Sequence, residues 1–207
     1  LDNAGKSSLL ETLTNGYPHE TTPTLGFRRK ELSYNGMEFN VFDIGGQNSL
    51  RGHWQDYFDK AAGIIWVIDS ADERRLFESG LALATILDNP QLDGIPLLVM
   101  ANKQDLATAM ESGKIFEELN LHSIKDRQIH LQACSALEDR GIDEGMRFMV
   151  TALTPPSKEQ IANQKAQLAL EKKRRREEER DKALAEKRAR KAEKEERKRL
   201  EKGLEPE

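Results

Sequence analysis

Four short clusters in this sequence carry residue types suited to phosphate and base chemistry. The first, Leu1-Asp2-Asn3-Ala4-Gly5-Lys6-Ser7-Ser8, reads as the end of a phosphate-binding loop, G-x-x-x-x-G-K-[ST]. In such a loop Gly5 lets the backbone curl, the N–H groups point inward, and Lys6 and the Ser7 hydroxyl face phosphate and Mg²⁺. The first glycine of the pattern would fall one residue before Leu1, so this reading expects a glycine and a strand upstream. The others are Asp43-Ile44-Gly45-Gly46-Gln47, Asn102-Lys103-Gln104-Asp105 and Cys134-Ser135-Ala136. A lone Gly-Lys-Ser is no more than a helix start; the weight lies in the four together.

The elements between these clusters must bring them to one edge. Leu9, Leu10 and Leu13 have helical spacing, so Lys6 opens a helix running to Asn15 whose N-terminus faces the phosphates. Residues 17–25, with Pro18, Pro23 and several Thr, read as a loop. Two strands, Phe27 to Tyr34 and Met37 to Phe42, are joined by Asn35-Gly36, a dipeptide suited to a type I′ hairpin. Residues 50–60 suggest a loose helix. The unbroken apolar runs 64–69 and 97–102 are strands buried on both faces, as in a parallel sheet. Helices are expected over 73–87, 112–119 and 142–153, with a short strand over 129–133. Strands alternating with helices give an α/β doubly wound, mostly parallel sheet, whose ligands sit at the carboxyl ends of the strands. Asp43, Asn102 and Cys134 lie at such ends.

The net charge of −4 joins two unlike parts. Residues 1–156 hold 14 basic against 23 acidic residues, and residues 157–207 hold 18 against 13, with Pro155-Pro156 at the boundary. An acidic body argues against nucleic acid as a partner. A single cysteine, Cys134, excludes an intramolecular disulfide and suits a reducing compartment. The four histidines lack ligand spacing, and Trp66 and Cys134 read as core.

With these motifs in this order, residues 1 to about 154 resemble the Arf-like family of small GTPases. The distinguishing marks are Asp43-Ile-Gly-Gly-Gln47, Pro23-Thr24-Leu25-Gly26-Phe27 and Asn102-Lys-Gln-Asp105. The resemblance implies a phosphate-loop GTPase fold that binds GTP or GDP with Mg²⁺. It places Asp2, Asn3, Ala4, Gly5, Lys6, Ser7 and Ser8 around the phosphates, Ser7 and Thr24 on the metal, and Asp43 on a metal-bound water. By the same resemblance the Gly46 N–H meets the γ-phosphate, and Gln47 orients the attacking water. Asp105 pairs with guanine N1–H and the 2-amino group, Asn102 and Lys103 brace and cover the base, and the N–H of Ala136, after Ser135, meets O6. Leu137 replaces a commoner lysine, which leaves the base-stacking contact open. Without a cis arginine finger, hydrolysis is expected to be slow and to need an activating protein. Effector, activator and exchange proteins are expected over residues 24–60, with Phe27, Phe42 and Tyr57 matching the family's aromatic effector patch; packing of the hairpin is the equal alternative.

From Ile161 to Lys202 there is neither Gly nor Pro, and Ser157-Lys-Glu-Gln160 has capping-box form, so a long charged helix is expected. Pairs such as Glu178 with Lys182 and Glu186 with Arg190 support it, each by about 0.2–0.5 kcal/mol. Leu168, Leu170, Leu184 and Leu200 do not sustain the repeat of a coiled coil, which favours an isolated helix and a monomer. Within the family this tail resembles the ciliary subgroup, implying a cytoplasmic protein associated with membranes or a cilium. The basic run 172–176 is either a contact for anionic lipid or an acidic partner, or a solvated face. Two readings therefore stand: a GTP-hydrolysing switch, and a nucleotide-gated scaffold or exchange factor whose activity lies in the tail.

Overall fold

A computed structural model describes residues 1–18, 22–155, 166 and 172–175. The chain divides into two compact units, Leu1–Thr154 and Pro155–Glu207. In the second, residues 166 and 172–175 are helical and exposed. The expected capping box at 157–160, the tail ion pairs and the question of a coiled coil lie outside the described residues.

In the first unit, helix α1 (Lys6–Asn15) is followed by a hairpin of β1 (Phe27–Tyr34) and β2 (Met37–Ile44). Asn35 and Gly36 both have positive φ, 47° and 78°, as a type I′ turn requires. The turn sets the register, Tyr34 opposite Met37 and Phe27 opposite Ile44, which carries β2 two residues beyond its expected end. A 3₁₀ segment, Asn48–Lys60, takes the place of the expected loose helix. Then come β3 (Ile64–Asp69), a 3₁₀ turn (Glu73–Arg75), α2 (Leu76–Leu87), β4 (Leu97–Asn102), α3 (Ser112–Glu118), β5 (Ile129–Ala133) and α4 (Ile142–Leu153).

Strands β3, β4 and β5 form a parallel sheet in that order, with β4 fully buried. Its period-2 alternation builds two cores. Leu97, Val99 and Ala101 pack with Trp66, Leu76, Leu83 and Ile115 on one face. Leu98 and Met100 pack with Val67, Leu9, Ile142 and Met149 on the other. The parallel, doubly covered arrangement is the expected α/β architecture. Hairpin and parallel sheet are separate ladders, and between β2 and β3 lies an apolar cleft of about 590 Å³.

Candidate functional site

Residues 1–5 pass over the carboxyl ends of β3 and β4 before entering α1. Leu1 and Ala4 are buried, and Ala4 belongs to the core beneath the sheet. Gly5 has φ of +88°, and a Cβ there would stand 2.3 Å from Asn102 Nδ2, so both backbone and space demand glycine. Lys6 curls back across the loop, its Nζ donating to the Leu1 carbonyl at 2.7 Å. Burial pushes Lys6 below the ordinary lysine range, with Asp43 and Asp2 opposing and Arg51 and Arg75 reinforcing the shift. A cation held partly desolvated is poised to gain from an anion placed beside it.

Three oxygen-bearing side chains meet at the start of α1. The Ser7 hydroxyl donates to Asp43 Oδ2 at 2.5 Å and lies 3.0 Å from the Thr24 hydroxyl, which reaches the same carboxylate oxygen at 3.3 Å. The other oxygen, Asp43 Oδ1, is buried without a hydrogen-bond partner among the described residues. A carboxylate that keeps one oxygen unpartnered while its other oxygen meets two hydroxyls is an oxygen donor set that fits a hard divalent cation. Ser7 and Thr24, expected on Mg²⁺ by the resemblance, and Asp43, expected on a metal-bound water, are thus together.

Gly46 presses on the phosphate loop: a Cβ there would come within 2.3–2.5 Å of Leu1 C, Asp2 N and Leu1 O. Gln47 follows, half-buried and extended, at the head of the 3₁₀ segment. Two side chains that the sequence reading passed over hold this glycine pair. Trp54 Nε1 donates to the Gly45 carbonyl at 3.0 Å, and Arg51 Nε to the Gly46 carbonyl at 3.2 Å. Arg51 is paired in turn with Glu78 on α2 at 2.7 Å. Their only sequence signal is their spacing of three, which puts both on one face of a 3₁₀ segment but fits neither the helix nor the strand period used to read the sequence.

The base-side clusters converge on Asn102. Its Nδ2 donates to the Ala4 carbonyl at 2.9 Å, and its Oδ1 accepts from the Ala136 N–H at 2.9 Å, so one buried amide staples the phosphate loop to the loop after β5. The Ala136 N–H, expected to face O6 of a base, is engaged by Asn102 in this structure, so a base contact there would have to share the proton. Lys103, in the left-handed region at φ 66°, pairs with Asp69 at 2.6 Å. Ser135 Oγ donates to Asp105 Oδ1 at 2.6 Å and accepts from the Glu138 N–H at 3.1 Å, which fixes the carboxylate's rotation. Burial pushes the Cys134 thiol up to about 12, in keeping with its reading as core.

Beside the site, Phe27, Phe42 and Tyr57 form one cluster with ring centroids 5.1–6.3 Å apart. Phe27 remains half-exposed and Leu25 is 84 % exposed, so the cluster both packs the hairpin and offers an apolar surface.

The sequence profile of the ADP-ribosylation factor family matches residues 1–153. The chain is similar to ADP-ribosylation factor-like protein 3 of Chlamydomonas reinhardtii, 47 % identical over 150 residues, covering 72 % of this chain and 85 % of that one. It is also similar to the protein of the same name from Caenorhabditis elegans, 43 % identical over 159 residues, covering 76 % and 86 %. Among solved structures it resembles the Arl6 BBS3 small GTPase from Trypanosoma brucei with the bound nucleotide analogue GppNp. That match has a TM-score of 0.69 at 28 % identity, covering 74 % of this chain and 92 % of the other.

Proposed function

The chain belongs to the ADP-ribosylation factor family, and we propose that it is a GTP-dependent molecular switch that hydrolyses GTP slowly and is accelerated by a partner. One observation carries this reading: the Ser7 and Thr24 hydroxyls converge on one oxygen of the Asp43 carboxylate at the N-terminus of α1, its other oxygen being left without a partner among the described residues, against a glycine that touches the phosphate loop. The helix terminus and loop amides favour phosphate oxygens. Ser7 and Thr24 would hold Mg²⁺ directly and Asp43 through a water. The ion, when bound, neutralises charge on the β- and γ-phosphates.

Each residue then has a task. Lys6 leaves the Leu1 carbonyl for the phosphates, which restore the charge that burial disfavours. Gly46 offers its N–H to the γ-phosphate from a position no side chain could occupy, so loss of that phosphate frees the segment Arg51 and Trp54 hold. Gln47 orients the attacking water, and with no cis arginine finger expected from the resemblance the intrinsic rate should be on the order of 10⁻⁴ per second. Asp105 selects guanine through two acceptor contacts, braced by Ser135, with Asn102 and Lys103 supporting the loop. Effectors, activators and exchange proteins would bind over residues 24–60, where the Leu25 and Phe27 surface lies, and the basic run 172–176 would serve a membrane or ciliary location.

Competition binding tests the reading. GTP and GDP should displace a fluorescent guanine nucleotide, in a Mg²⁺-dependent way, at concentrations where ATP does not. Equal displacement by ATP would refute it.

A further inference from the structure

We infer that Arg75 is a positioning residue for the phosphate loop: it fixes the Asp2 peptide and so aims the next N–H, that of Asn3, into the cradle. The inference rests on the reading that this loop holds a guanine nucleotide. Arg75 lies 73 residues away in sequence, at the end of the 3₁₀ turn before α2, yet its guanidinium makes three bonds around one point. Nη1 donates to Asp2 Oδ1 at 3.0 Å, Nη2 to the Asp2 carbonyl at 3.1 Å, and Nε to Asp72 Oδ2 at 2.7 Å.

The carbonyl bond is the informative one. In a trans peptide the C=O and the following N–H point in opposite directions, and the bond from Asp2 to Asn3 is trans. Drawing the Asp2 carbonyl outward to Arg75 therefore turns the Asn3 N–H away from Arg75. The next residue turns the chain sharply: Asn3 sits at φ 57°, in the left-handed region that Asn tolerates better than most residues with a side chain.

The clamp is itself braced. The Asp72 carboxylate holds Arg75 through its Nε, and this contact keeps Asp72 below the usual carboxylate range. The Asp72 N–H is bonded to Asp69 at the end of β3, whose carboxylate also pairs with Lys103. Arg75 thus ties the phosphate loop to the strand end that also bears the base-side loop. Only a guanidinium offers this planar fork of donors; an ammonium at the same place is a point charge whose donors cannot span both Asp2 oxygens and Asp72 in that geometry.

The test is release of a fluorescent GDP analogue, chased by excess GDP, from the 207-residue chain as wild type, Arg75→Ala and Arg75→Lys, each also melted nucleotide-free. Arg75→Ala should release nucleotide about tenfold faster and Arg75→Lys about threefold faster, since two partly screened charge-assisted bonds are lost in one case and one in the other. The nucleotide-free melting temperatures should stay close to wild type. In an Asp2→Ala background, which removes one of the two bonds to Asp2, Arg75→Ala should have a smaller effect. Unchanged release in both variants overturns the inference, as does full rescue by Lys, because a single point charge would then suffice. Should Arg75→Ala not fold, the threefold change in Arg75→Lys decides by itself. Wild type that takes up no guanine nucleotide would overturn the underlying reading, and the inference with it.

Discussion

Asp105 shows how much one carboxylate can be asked to decide. Its rotation is locked by the Ser135 hydroxyl at 2.6 Å, and a fixed acceptor rejects an analogue that lacks the matching donors far better than an apolar pocket would. Asp105→Asn replaces an acceptor oxygen with a donor, so nucleotide competition should show preference moving from guanine toward xanthine; GTP binding as tight as before would exclude the role. Cys134 gives a different kind of prediction. Burial raises its folded pKa from 9.0 to about 12, so as pH rises above 9 the unfolded chain loses this proton first. The unfolded state is thereby favoured, and the thiol's contribution to stability falls between pH 9 and 12. Denaturant titrations across that range should show Cys134→Ala less sensitive to pH than wild type, and the native thiol should react with a thiol reagent only after unfolding. A thiol that reacts as fast in the native chain would contradict its burial.

The hairpin and the parallel sheet differ in how they are held. β3, β4 and β5 are locked by two cores, whereas among the described residues β1 and β2 pair only with each other, and side chains tie them to the body. Lys30 bonds Glu11 of α1 at 2.6 Å, and the Tyr34 hydroxyl bonds Asp143 of α4. Local opening follows the density of such attachments. In Lys30→Ala, amide hydrogen exchange should quicken through 27–44 and stay unchanged through 64–69 and 97–102; uniform quickening would show one cooperative unit instead. These elements were legible to different degrees. The buried strands declared themselves as unbroken apolar runs, and Asn35-Gly36 named its own turn. The segment after Gln47 did not, because its mixed aromatic and charged residues fit neither period, and its 3₁₀ form is held by Trp54 and Arg51 gripping the glycine carbonyls.

Across the whole molecule, the candidate site is where loops distant in sequence share one strand edge. Its motif residues could be read from types and spacing, because Lys6, Asp43 and Asn102 stand in a recognisable order. The residues that hold those motifs in place could not: Arg75 reaches Asp2 across 73 positions, and Arg51 reaches Glu78 across 27. Pairs of that kind exist only once the fold has closed, and a solitary arginine announces nothing beforehand. The same closure explains Ala136, whose N–H was expected at a base and is bonded to Asn102. The central claim, that this assembly hydrolyses GTP through a water placed by Gln47, is tested most directly by single-turnover hydrolysis of preloaded GTP in wild type and Gln47→Leu. Wild type should convert GTP on the order of 10⁻⁴ per second, and Gln47→Leu at least about tenfold more slowly, with nucleotide release unchanged. Equal hydrolysis by the two proteins would contradict it.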